Sequence, residues 1–123
     1  MLDELNLQEK LRIVQELVPG KQITLAHIIA NPDDILYKKL GLDPAVDYRK
    51  SAIGIVTMSP SETAIIAGDI AIKSSGVELG FVDRFSGTLI VTGLVADVNA
   101  SLDALVKYCK EVLGFTICPI TKT

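Results

Sequence analysis

His27 is the only histidine in the chain, and the two cysteines, Cys109 and Cys118, stand nine positions apart. Nucleophilic, acid–base or metal chemistry would have to start from these side chains, and their spacing serves none of it. A zinc site draws on paired ligands such as Cys-x-x-Cys, and an activated nucleophile needs a base within hydrogen-bond reach. His27 lies inside the apolar, β-branched stretch QITLAHIIA rather than in a polar loop, so a histidine satisfied within the fold is expected. The glycines at 76, 80, 87 and 93 form neither a dinucleotide nor a nucleotide phosphate-loop fingerprint. The residues predict no catalytic group, no metal site and no cofactor, and therefore no enzyme.

Two other groupings can carry function. Asp69 and Lys73 are four apart, acid before base, an arrangement worth about 0.2 to 0.5 kcal/mol on an exposed helix. They are either a plain surface pair or the mark of a subunit edge, where the lysine stem lies along a neighbour and its ammonium meets backbone carbonyls. Asp83, Arg84, Phe85, Ser86 and Gly87 form a short loop. Read locally, it is a solvated hairpin turn with Phe85 tucked against a neighbouring surface. Repeated around a symmetry axis, the same loop would converge with its copies and restrict a channel.

The elements that position these groups follow from local patterns. Residues 22–30 read as a buried strand, followed by a helix start in which Asn31 caps, Pro32 fits the first turn and Asp33 and Asp34 favour the positive end of the dipole. Gly41 supplies the stop, and residues 42–50 have connector chemistry. A second strand over 51–58 leads to Ser59-Pro60-Ser61-Glu62, with Ser59 as cap and a helix running to Ser75. That helix is small or apolar around so much of its circumference that one buried face is not enough to cover it, so a second partner is expected. Strands follow over 77–82 and 88–94. Asp97 is expected to cap the last helix, with Val98, Leu102, Leu105, Val106, Cys109, Val112 and Leu113 on one stripe ending at Gly114. Pro119 confines the extended segment 115–120 to an edge or tail. The alternation of strands and helices predicts an α/β fold with helices packed on a sheet.

Composition excludes several classes of function. The 123 residues fit one compact domain, and the formal charge of −3 without a basic run argues against nucleic acid. The longest apolar stretches fall far short of the roughly 20 residues a membrane span needs. With no disulfide scaffold and no signal-peptide pattern, a reducing cytoplasmic setting is expected. The mean hydropathy of +0.40 is high for so small a chain, which places part of the apolar excess between subunits.

Taken together, VPGKQITLAHIIANP at 18–32, SAIGIVTMSPSETAIIAGDIAIKSS at 51–75, GFVDRFSG at 80–87 and CPITKT at 118–123 resemble the circularly permuted BMC-domain shell proteins of bacterial microcompartments. The likeness is greatest to the ethanolamine- and propanediol-utilisation members. It covers about residues 12–123 and leaves the preceding arm outside. It implies a circularly permuted BMC domain over 19–123, with an antiparallel-rich sheet packed against helices, and a homohexamer that tiles with other shell proteins around enclosed enzymes in the cytoplasm. No active site, nucleic acid or membrane is implied. The resemblance carries Lys73, with Asp69, to the hexamer edge, and the loop Asp83 to Gly87 to the central axis.

The resemblance also makes residues 1–18 an arm that ends in a β-barrel strand over the sixfold axis. That strand would be formed by Ile13, Val14, Gln15, Glu16, Leu17 and Val18, with Val18-Pro19-Gly20 as the turn into the domain. Six short strands satisfy each other's backbone groups only by closing on themselves, which suits the alternation of Ile13, Gln15 and Leu17. The longer acidic arm and the inserted-looking connector 43–50 depart from the simplest pattern. Ethanolamine, propanediol and glycyl-radical choline or diol pathways all fit what the shell would enclose. A competing expectation is a small-metabolite binding or signalling module that uses the same ring, with Phe85 or Ser86 as its contact.

Overall fold

Strand β1, Gln22–Ile29, turns Ile23, Ala26 and Ile28 into the core, while Gln22, Thr24 and Leu25 stay exposed. The computed structural model describes residues 20–48 and 51–123. The expected arm and barrel strand over 1–18 lie outside the described residues, as do residues 49–50 of the connector. After β1 come α1 (Asp34–Lys39), β2 (Ala52–Ser59), α2 (Thr63–Ser74), β3 (Glu78–Asp83), β4 (Thr88–Gly93), α3 (Val95–Glu111) and β5 (Thr121–Lys122). The sheet order is β3-β4-β2-β1-β5, with every neighbouring pair antiparallel except β1 and β5. The predicted succession of elements and the antiparallel-rich α/β sheet are therefore present.

One sheet face, carrying Ile28, Val56, Leu89 and Val91, packs on α2 and α3. Full burial of each such side chain is worth about 1.5 to 3 kcal/mol. The positions of helix α2 buried in this layer are mostly small, Ala64, Ala67, Gly68 and Ala71, with Ile70 packing partly against the same core. Ser101 of α3 donates to the Ala71 carbonyl at 3.0 Å, which satisfies a hydroxyl buried between the two helices. Gly54 of β2 belongs to the same contact: a β-carbon there would stand 2.8 Å from Val98 Cγ1 and 2.9 Å from Leu102 Cδ1. The opposite face carries Ile53 and Ile90 under Tyr37 and Leu42. Tyr37 stacks on Tyr48 with centroids 4.7 Å apart and donates to the Ser51 carbonyl at 2.6 Å, tying α1 and the connector to the sheet.

The element ends differ from the sequence expectations. Asp33, not Asn31, caps α1, its carboxylate accepting from the Ile35 amide at 3.1 Å. Ser59 is the last residue of β2, paired with Gln22, and so is not available as a cap; α2 begins without a side-chain cap at Thr63. Asp97 lies inside the first turn of α3, whose cap position is Leu94. Val112 projects outward from the expected buried stripe and is 61% exposed, because α3 ends at Glu111 and the chain turns away. Gly41, with φ of +69°, takes the left-handed conformation that stops α1. The tail pairs through Thr116 with Gln22 and through β5 with β1, on either side of Pro119.

Candidate functional site

On α2 the residues turned away from the core are Ile65, Ile66, Asp69, Ile72 and Lys73, all spaced to share one outward stripe. The isoleucines are 55%, 50% and 44% exposed. Lys73 donates to Asp69 at 2.8 Å with both side chains mostly in solvent, so the pair adds little to the stability of the lone chain. Leu79 and Val82 on the edge strand β3 are also left exposed, and Leu79 passes beside the α2 backbone at Gly68. Isoleucines surround a single ion pair here, which is the composition of a surface that another protein covers.

The loop between β3 and β4 is organised by Asp83, the last residue of β3. Its Oδ1 accepts from the Phe85 amide at 2.8 Å and its Oδ2 from the Ser86 hydroxyl at 2.8 Å. The Phe85 amide, followed by the Ser86 hydroxyl, holds the Asp83 carboxyl below the usual carboxylate range. Gly87 closes the turn with φ of +74°, donating to the Asp83 carbonyl at 2.9 Å and accepting from the Met58 amide at 2.9 Å. A β-carbon at Gly87 would collide with the Met58 carbonyl oxygen, so only glycine fits the contact. Phe85 is not tucked against a neighbour, as a local hairpin would have it. It is 81% exposed, with the Arg84 guanidinium carbon 4.9 Å from its ring centroid.

The two candidate groups stand apart. Gly87 abuts Met58 and Ser61, just before α2, whereas Lys73 lies in its last turn. At 1.5 Å per residue, the 12-residue helix separates them by roughly 18 Å. The remaining barrel residues, Ile13 to Val18, are outside the described residues.

His27 has two partners that the sequence did not reveal. Its Nδ1 is 2.5 Å from the Thr121 hydroxyl and its Nε2 2.9 Å from the Thr123 hydroxyl, so both ring nitrogens are used to hold the tail. Thr121 also lies 3.3 Å from the Ala26 carbonyl, to which its hydroxyl donates. Nδ1 is then the ring donor to Thr121, and Nε2 accepts from Thr123 in the neutral ring. Cys109 is buried, and burial pushes its thiol up from the ordinary range; Cys118 is half-buried. Among the described residues no three His, Cys, Asp or Glu side chains converge to hold a metal, and no helix is long and apolar enough to cross a membrane. A cavity of about 570 Å³ between α1 and the connector, lined by Tyr37, Leu42, Pro44, Val46 and Tyr48, was not anticipated; two tyrosines flanking the connector were its one signal.

A sheet covered by α2 and α3, an uncovered isoleucine stripe and a stiff exposed loop define an assembling α/β domain. Residues 52–121 match the BMC-domain family. The microcompartment shell protein PduU of Salmonella typhimurium is 54% identical over 112 residues, which is 91% of this chain and 93% of PduU. A solved structure titled as a flat CutR hexamer superposes with a TM-score of 0.79 at 47% identity, covering 91% of this chain and 99% of that one. Another, titled as a CutR screw, gives a TM-score of 0.77 at 46% identity, over 85% of this chain and all of that one. The chain belongs to the BMC-domain family, as a circularly permuted shell protein of a bacterial microcompartment. Its role is structural rather than catalytic.

Proposed function

We propose that six copies of this chain form a hexameric tile in the wall of a microcompartment enclosing a catabolic pathway of the ethanolamine, propanediol or glycyl-radical choline or diol type. The observation that carries the reading is the outward stripe of α2, where Ile65, Ile66 and Ile72 lie open around the Asp69–Lys73 pair. A lone chain gains nothing from that stripe; copies and related tiles bury it. In this arrangement Lys73 and Asp69 stand at the tile edge, and the loop of Asp83, Arg84, Phe85, Ser86 and Gly87 faces the sixfold axis. The separation of the two groups by the length of α2 supports placing one at the rim and the other near the centre. Residues 13–18 would close over the axis as a barrel, leaving 19–123 as the tiling domain.

Native mass measurement tests the ring directly. A species of six chains is expected, and a stable monomer at micromolar concentration would overturn the reading. A helical assembly is the second arrangement, favoured by the screw form of the CutR structure. Electron microscopy separates the two, since flat tiles give sheets and an open ring gives filaments. Replacing Lys73 by alanine should leave the isolated ring intact while weakening the sheets.

A further inference from the structure

The cavity of about 570 Å³ between α1 and the connector lies on the sheet face opposite α2 and α3, away from the isoleucine stripe. Its size suits a small molecule. The backbone around it is tied down: the Leu42 amide donates to the Tyr37 carbonyl at 3.2 Å, the Ala45 amide to Asp43 Oδ1 at 2.9 Å and the Ser51 amide to the Tyr48 carbonyl at 2.9 Å. Tyr37 and Tyr48 line it as a stack within 7° of parallel, and Leu42, Pro44 and Val46 complete an apolar wall. The charge around this wall is mostly negative. Asp34 lines the cavity, exposed and with no ion-pair partner among the described residues; Asp47 lines it too, with a partner of its own. Burial and then the Asp34 carboxylate push the Tyr37 phenol above its ordinary range, and burial followed by Asp43 and Glu78 does the same to Tyr48. Lys38 is the one cation among the described lining residues, exposed on a long stem that carries its ammonium into water, whereas the short Asp34 side chain stays at the rim.

We propose that this cavity binds a small organic cation with an apolar body, one per chain, the apolar part on the Leu42, Pro44 and Val46 wall and the charge held by the tyrosine rings and Asp34. The negative faces of aromatic rings attract a cation, and a carboxylate beside them adds to that attraction. A neutral molecule of the same shape uses the wall but not Asp34, and an anion is repelled. The hydrogen bonds that shape the connector are made before any ligand arrives, so binding does not have to order the chain. Every lining residue belongs to one chain, so the site does not rest on the ring.

Calorimetric titration of the purified full-length protein with benzyltrimethylammonium tests the site, with benzyl alcohol as the neutral comparison and benzenesulfonate as the anionic one. The expected result is saturable binding of the cation at one per chain, with Kd on the order of 1 mM or tighter for a ligand of this size. Benzyl alcohol should bind about threefold more weakly or worse, and benzenesulfonate should not saturate. Tyr48→Leu keeps the apolar volume and removes an aromatic face, so it should weaken the cation by about threefold or more. Asp34→Asn should weaken it roughly two- to fivefold, with the native mass unchanged. The methyl resonances of Leu42 and Val46 in the native chain report the location without any substitution, and they should shift and saturate at the same Kd. Absence of saturable cation binding, equal affinity for benzyl alcohol, saturation that leaves those methyls unmoved, or binding that neither substitution weakens would each overturn the site. A stable monomer that binds the cation overturns the ring and leaves the site standing; a six-chain species that binds none overturns the site alone.

Discussion

Substituting Gly87 by alanine should cost far more than the same change at the other two glycines with positive φ, and the difference measures how tightly the loop is held. Gly41, Gly87 and Gly114 share φ values of +69°, +74° and +72°, so alanine meets the same backbone penalty at each, about 1 to 2 kcal/mol. The restriction of the unfolded chain returns about 0.4 to 1 kcal/mol. At Gly41 and Gly114 nothing lies within 4 Å of the added β-carbon, so the net cost there is roughly 1 kcal/mol. At Gly87 the β-carbon collides with the Met58 carbonyl oxygen and comes within 3.1 Å of Ser61 Cα, both backbone atoms that no rotamer change can move. Relief requires a backbone shift of about 1 to 3 kcal/mol and loss of the Met58–Gly87 hydrogen bond, about 1 kcal/mol more. The total is roughly 2 to 5 kcal/mol, or a fall in Tm on the order of 10 °C or more for a domain of this size. Thermal unfolding of the three variants at one fixed protein concentration gives the comparison. Equal losses at 41, 87 and 114 would refute the claim that the loop is clamped against β2. Gly87→Asn sharpens the test: asparagine tolerates positive φ, so a clash-dominated site gains nothing from it.

Further expectations concern the core, the loop and the tail. Gly54→Ala should destabilise by about 1 to 3 kcal/mol through overpacking against Val98 and Leu102, and Leu102→Ala in the same chain should cost less than it does alone, by a double-mutant unfolding cycle. Because Asp83 titrates below its unfolded value, its support of the loop is complete above the ordinary carboxylate pKa of about 4 and is lost as pH falls through the lower folded value. Protection of the Phe85 amide relative to its intrinsic exchange rate should therefore fall in acid in the native chain, and Asp83→Ala should show low protection at all pH values. Cys109 should resist alkylation in the native chain and react on unfolding, because it is fully buried with its thiol pushed up. His27→Ala should raise amide exchange across Thr121–Lys122 without unfolding β1 or β2, which pair antiparallel along nearly their whole length.

Most of the element order was legible because it is encoded over short spans. The stop at Gly41, the stripe Val98, Leu102, Leu105, Val106 and Cys109, and the small-residue helix with an uncovered face all follow from spacing within one segment. The outward Asp69–Lys73 pair follows from the same spacing. The helix caps were less legible. Which of several adjacent hydroxyls and carboxylates caps a helix depends on where the preceding strand lets go, and Ser59 is held in the β2 ladder opposite Gln22.

The site shows the same division. Local spacing was enough to make Asp83 to Gly87 a tight turn and to leave α2 with an apolar face that the sheet does not cover. Packing in three dimensions was needed to show that Asp83 folds its charge into the loop while Arg84 and Phe85 stand out. The same holds for Gly87, locked on Met58, and for His27, which holds hydroxyls 94 and 96 positions away. Spacing within a helix or turn fixes contacts over a few residues. The contacts of His27 and Gly87 exist only once β5 has paired with β1 and β4 with β2, and that register is set by the packing of the whole sheet.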